Sequence, residues 1–92
     1  MIGDTIIQAS NPDDHVFEVT ADYMNITGFT VTGATEDWKA GIYLYHIDHC
    51  TISNNNASNN YYGICVAGSS SYCKIENNIV LNNLNAGISV KR

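Results

Sequence analysis

The sequence predicts an all-β fold: a right-handed, single-stranded parallel β-helix of about three coils, with three short strands in each coil. Three observations carry the prediction. A Gly-Ile motif recurs about every two dozen residues, Asn pairs sit between short apolar runs, and no window spaces its apolar residues as a helix does.

Taken in order, Thr5-Ile6-Ile7-Gln8 reads as one strand of an incomplete first coil, and Val16-Phe17-Glu18-Val19 leads the first full unit. Met24-Asn25-Ile26-Thr27-Gly28 and Phe29-Thr30-Val31-Thr32 are that unit's second and third strands. Thr35-Glu36-Asp37-Trp38-Lys39 is an insertion expected to bulge from a corner, with Trp38 folding back over apolar surface or serving as a contact. The leading strand then returns as Gly41-Ile42-Tyr43-Leu44, Gly63-Ile64-Cys65-Val66 and Gly87-Ile88-Ser89-Val90, at offsets of 22 and 24 residues. The second strand returns as Cys50-Thr51-Ile52-Ser53 and Cys73-Lys74-Ile75-Glu76, 23 residues apart, and the third as Asn55-Asn56-Ala57-Ser58 and Asn78-Ile79-Val80-Leu81. Residues 1–92 thus read as a single β-helix domain and a fragment of a longer stack, with coils at about 16–40, 41–62 and 63–86 and a partial coil at 87–92.

The period also fits leucine-rich repeats, but those need a helical side to every turn, and Asn, Thr, Ser and Gly fill the connections here. Alternation has period two, so Ile42 and Leu44 point inward and Tyr43 outward. Stacked coils place equivalent residues one strand spacing apart, about 4.8 Å. The expected inner columns are Phe17/Ile42/Ile64/Ile88, Val19/Leu44/Val66/Val90, Met24/Cys50/Cys73, Ile26/Ile52/Ile75 and Val31/Ala57/Val80, every member apolar or a thiol. Gly28/Asn54/Asn77 is expected to form a turn column, its Asn side chains bonding from coil to coil as a ladder.

Composition narrows the function. The formal net charge is −5 with four cations, so the dense basic face that nucleic acid or an anionic membrane requires is missing. No apolar run approaches a membrane span, and residues 1–4 carry no signal-peptide pattern, which fits an internal piece of a secreted parent. Coils without caps expose apolar columns and strand edges, so end-to-end self-association is expected if the stack does not continue.

The strings Gly-Ile-Tyr-Leu at 41–44, Thr-Ile-Ser-Asn-Asn at 51–55 and Asn-Asn-Tyr-Tyr-Gly-Ile at 59–64 resemble the parallel β-helix repeats of the NosD-like group. That group includes a periplasmic copper-binding maturation protein and many archaeal and bacterial surface proteins. The repeat is also similar to carbohydrate-binding and sugar-hydrolase modules related in fold to pectate lyases. The resemblance covers residues 16–92. It implies an extracellular, cell-surface or periplasmic setting and a polysaccharide or glycan partner, while the repeated residues themselves are structural.

Two groups of side chains are candidate sites. Tyr43, Tyr45, Tyr61, Tyr62 and Trp38 point outward and offer flat faces for sugar rings; the plainer reading is that they ladder between coils and cover the strands. His46 and His49, beside Cys50, carry imidazoles suited to copper or zinc, although Cys50 belongs to an inward column. Glycoside hydrolysis needs paired carboxylates, and of Asp4, Asp13, Asp14, Glu18, Asp22, Glu36, Asp37, Asp48 and Glu76 only Glu18 points outward from mid-strand, in a column with no second acid. Cys50 and Cys73 are expected on adjacent rungs as buried thiols, since parallel stacking strains a disulfide, with Cys65 outward and reactive. The reading that follows is a non-catalytic surface or scaffold module that binds carbohydrate and needs no cofactor. The alternatives are a polysaccharide lyase or hydrolase (or its remnant) and a copper-binding NosD-like protein.

Overall fold

A computed structural model describes residues 5–8, 11, 13–68 and 70–90. Asp4 and the terminal Lys91 and Arg92 lie outside them. The described chain is all strand and turn, and every named strand pairs in parallel with the equivalent strand of a neighbouring coil. The strands are β1 (Thr5–Gln8), β2 (Phe17–Val19), β3 (Asn25–Thr27), β4 (Phe29–Thr32), β5 (Ala40–Tyr45), β6 (Thr51–Ser53), β7 (Asn56–Ala57), β8 (Tyr62–Ala67), β9 (Lys74–Glu76) and β10 (Ala86–Val90). They form three faces of a parallel β-solenoid: face I in the order β2-β5-β8-β10, face II β3-β6-β9 and face III β1-β4-β7. The register is the one the repeats predict. Phe17 pairs with Ile42 and Ile42 with Ile64, Ile64 with Ile88, and Ile26 with Ile52 and then Ile75. β1 pairs with β4, which makes Thr5–Gln8 the third strand of a preceding coil.

The core runs along the solenoid axis as the expected columns, with Ile26, Val31, Ile42, Leu44, Cys50, Ile52, Ala57 and Ile64 all buried. Sealing is best in the middle coils because each is covered on both sides. At the outermost coil Ile88 and Val90 are exposed, although they hold the same register. Met24 also departs from the expectation. It is 41% exposed, whereas Ile26, two residues on in β3, is buried.

Nine non-glycine residues adopt positive φ among the described residues, and they mark the corners. Gly28, Asn54 and Asn77 turn face II into face III at φ of 85°, 56° and 56°. Gly33, Asn59 and Asn82 make the next corner at 101°, 60° and 56°. Asn tolerates this left-handed conformation better than other side-chain-bearing residues, and Gly takes it freely.

The ladder, however, is not built from these turn residues. Asn54, Asn59, Asn77 and Asn82 are exposed, whereas the residue after each one points inward. Asn55 is fully buried; its Oδ1 accepts the Phe29 N–H of the coil before at 3.0 Å, and its Nδ2 donates to the Ile26 carbonyl at 2.9 Å. Asn78 repeats this one coil on, accepting from the Asn55 N–H at 2.9 Å and donating to the Ile52 carbonyl at 2.9 Å. A second ladder runs through Asn60 and Asn83, which accept from the N–H groups of Ala34 and Asn60 and donate to the carbonyls of Val31 and Ala57. Each Asn pair therefore divides its labour, the first residue turning the chain and the second fastening the coil beneath. In the first full coil, Gly28-Phe29 and Gly33-Ala34 stand where later coils have Asn-Asn.

The Gly of the Gly-Ile motif follows from the second ladder. A Cβ on Gly41 would lie 2.6 Å from Asn60 Nδ2 and 2.8 Å from the Gly63 carbonyl oxygen; on Gly63 it would lie 2.5 Å from the Gly87 oxygen and 2.9 Å from Asn83 Nδ2. Gly recurs there because the ladder amide and the next coil's backbone occupy the space of a side chain.

Candidate functional site

The outer side of face I carries the sequence-predicted aromatics. Its central column is Glu18/Tyr43/Cys65/Ser89, so the inward–outward parity is as expected. The small residues Ala40, Cys65 and Ala67 lie beneath a layer of aromatic rings and form a second, external apolar cluster with Tyr62, flanked by Tyr43, Tyr61 and Ala86. Cys65 is 1% exposed as a result, which corrects the expectation of a reactive surface thiol: it points outward, but larger neighbours cover it. Tyr62 is likewise 2% exposed and serves as floor rather than as contact surface.

Two aromatic groups remain accessible above that floor. Trp38, in the predicted insertion at φ 70°, folds back so that its ring centroid lies 5.9 Å from Tyr61 and 6.4 Å from Tyr62, yet it stays 62% exposed. Tyr61 is half-buried and meets Tyr62 edge-on at 4.8 Å. In the other group, Tyr43 and Tyr45 lie parallel at 6.2 Å, with Tyr45 51% exposed. His15, which the sequence did not single out, stacks flat on Tyr43 at 3.9 Å and 4°. Its Nδ1 accepts the Ala40 N–H at 2.9 Å, which requires an unprotonated nitrogen. Burial accordingly holds the His15 pKa below its ordinary value, against the opposing charge of Glu18. Burial also pushes the Tyr43 hydroxyl up, with Cys65 adding to the effect, so the ring face is uncharged at neutral pH.

The two candidate metal ligands part company. The His46 ring lies against Gly68 and meets Tyr45 edge-on at 4.1 Å. His49 is stacked between Tyr23 and Tyr72, at 4.9 Å from each, in a column along the corner between faces I and II. Tyr23, His49 and Tyr72 all have positive φ, 61°, 60° and 56°, so this corner is turned by aromatic residues where the others use Asn or Gly. Residue type does not announce this corner at Tyr23 and Tyr72, since bulky aromatic side chains seldom take the left-handed region, whereas His49 is of a type enriched there. Beneath it runs a carboxylate ladder in which the Asp48 N–H donates to Asp22 at 2.9 Å and the Ser71 N–H to Asp48 at 3.0 Å.

Inside that corner lie the sulfurs. None of the three cysteines forms a disulfide. The Cys50 thiol points to the Ala21 and Asp48 carbonyls at 3.6 and 3.8 Å; the Cys73 thiol points to those of Ile47 and Ser71 at 3.3 and 3.6 Å. Burial raises the Cys73 pKa.

Over residues 3–92 the chain matches the sequence model of the family described as periplasmic copper-binding protein (NosD). The chain belongs to the NosD family. No curated protein and no solved structure matches it. The NosD description names copper and the periplasm, and the donor set of this chain can be set against it. Among the described residues no three or more His, Cys, Asp or Glu side chains converge as a metal centre, and His46 and His49 are held by different ring partners. The soft donors that do stack one above the other are Cys50 and Cys73, and two thiols of this kind suit monovalent copper.

Proposed function

We propose that this NosD-family chain is a non-catalytic solenoid module that holds carbohydrate on the aromatic outer side of face I. The observation that carries the reading is the pairing of accessible rings with a fixed floor: Trp38 and Tyr45 are more than half exposed, while Tyr62 and Cys65 beneath the layer are sealed. Rings packed by their neighbours lose little freedom on binding and can stack on the apolar faces of sugars. The column through Glu18 supports the non-catalytic part, since its other members are Tyr43, Cys65 and Ser89 and supply no second carboxylate. A glycan array followed by titration on Trp38 fluorescence tests it. Trp38→Ala and Tyr45→Ala are each expected to weaken saccharide binding about tenfold or more. Failure of every saccharide to perturb Trp38, or undiminished binding by both variants, rejects the reading.

The family match favours a second reading, that the chain itself binds copper. Its first candidate ligands are His46 and His49, and copper binding left unchanged by the double change to Ala excludes them. The same module is proposed to associate end to end through its outermost coil, where Leu81, Leu84, Ile88 and Val90 are exposed. A strictly monomeric sedimentation profile at high concentration argues against that association.

A further inference from the structure

We infer that Cys50 and Cys73 form a two-coordinate site for a single Cu(I) ion at the corner between faces I and II; the inference rests on the copper reading above and moves its ligands from the imidazoles to the thiols. The first support is the register. Lys74 N–H donates to the Cys50 carbonyl at 2.8 Å and β6 pairs with β9 from Thr51↔Lys74 onward, so the two cysteines occupy successive rungs of one column. Their backbones are therefore separated by about 4.8 Å, the spacing of adjacent strands. Side chains that leave parallel rungs in the same direction keep roughly that separation at the sulfurs. A disulfide needs its sulfurs at about 2.05 Å and its Cβ vectors turned toward each other, which this stacking opposes. An ion bridging the sulfurs needs them at most about 4.6 Å apart, twice a zinc–thiolate bond of about 2.3 Å, and side-chain rotation on adjacent rungs reaches that without moving the backbone.

The second support is the surroundings. Cys50 is buried within the core cluster that includes Ile47 and Ile52, and Cys73 and Ile75 pack against that cluster. A largely apolar wall that brings no third thiol or imidazole to the pair among the described residues suits Cu(I), which accepts two soft ligands. It does not suit Zn(II), which asks for four, or Cu(II), which favours nitrogen and oxygen in a tetragonal array. The convergence of three or more ionisable ligands that those ions require is not found among the described residues. Cys73 is the less buried of the two cysteines and offers the side from which an ion enters. Both thiols point at backbone carbonyls, Cys50 at Ala21 and Cys73 at Ile47. Binding is a ligand exchange without redox: Cu(I) enters, each sulfur releases one proton to solvent, and the resulting bis-thiolate copper unit carries a charge of −1.

The test is an anaerobic titration of the whole chain with Cu(I) buffered by a competing chelator, read by stoichiometry and by X-ray absorption at the copper edge. One ion per chain in two-coordinate sulfur is expected. Cys50→Ser and Cys73→Ser are each expected to weaken it about 100-fold or more, while Cys65→Ser and His46→Ala/His49→Ala leave it unchanged. Because a Cys50 variant can unfold a buried corner, the unaltered chain supplies a second reading: Cu(I) should protect Cys73 from alkylation, counted by mass. Copper bound through nitrogen, or lost from the His variants and kept by both Ser variants, overturns the thiol site and leaves the copper reading standing. Failure of the unaltered chain to bind Cu(I) overturns both.

Discussion

Asn59 and Asn60 are the same residue type in adjacent positions, and the structure assigns them costs of different origin and size. Asn60 is fully buried; its Oδ1 accepts the Ala34 N–H at 3.0 Å, and its Nδ2 donates to the carbonyls of Val31 and Ser58 at 3.1 Å. Truncation to Ala leaves the buried Ala34 N–H without its acceptor, a loss of about 1–3 kcal/mol. The Val31 carbonyl is less affected, because it keeps the Ser58 N–H at 3.2 Å. The cavity left by a buried side chain adds to this, and about 3 kcal/mol in total is expected for Asn60→Ala. Asn59 is exposed at φ 60°, and its side chain fastens no neighbouring coil. Asn59→Ala should cost about 1 kcal/mol from placing a Cβ-bearing residue without Asn's tolerance in the left-handed region. Asn59→Gly should be close to neutral. A 92-residue domain has about 5–14 kcal/mol of stability in all, so the Asn60 variant should remain folded but lose a large share of it. Urea unfolding followed by far-ultraviolet circular dichroism reads all three. A cost for Asn59→Ala equal to or above that for Asn60→Ala refutes the division of labour within the pair.

Two further perturbations probe other parts of the stack. Gly63→Ala should cost about 3 kcal/mol or more, since its Cβ would meet the Gly87 backbone oxygen at 2.5 Å, whereas a Cβ on Gly87 would meet the Val80 side chain at 3.0 Å and no closer backbone atom than the Val80 oxygen at 3.7 Å, so Gly87→Ala should cost less than about 1.5 kcal/mol. Equal costs in chemical denaturation contradict the crowding argument. His15 has a folded pKa below its unfolded value, so its contribution is present above the unfolded pKa of about 6.5 and is lost as the pH falls through the folded one. The hydrogen bond to Ala40 at stake is worth about 1 kcal/mol. Melting temperature should therefore fall between pH 7 and pH 5 more steeply for the unaltered chain than for His15→Gln, and parallel slopes count against it.

Much of the fold is legible in the sequence because the repeated residues are those that touch their own equivalents. Ile26, Ile52 and Ile75 recur since each packs on the next, and Gly41, Gly63 and Gly87 recur since a ladder amide or a backbone oxygen crowds the first two. What the sequence obscured has physical causes as well. Either member of an Asn pair could take the left-handed turn, as Asn tolerates it at both positions; packing alone decides that Asn55 and Asn60 turn inward. Parity correctly sends Cys65 outward, but it cannot show that neighbouring rings reach over it. His46 and His49 are three positions apart in the chain, yet a left-handed residue at each one sends the rings to separate partners. Alternation places Met24 inward with Cys50 and Cys73, yet it is exposed while Ile26, two residues on, is buried.

The most direct test of the stacking is nuclear Overhauser contact between selectively labelled isoleucine methyl groups. Ile26 should contact Ile52, Ile52 should contact Ile75, and Ile42 should contact Ile64, each across one rung. If these cross-coil contacts are absent while each methyl sees residues three or four positions away along the chain, the coils do not stack in this register and the ladders, faces and sites described above do not exist.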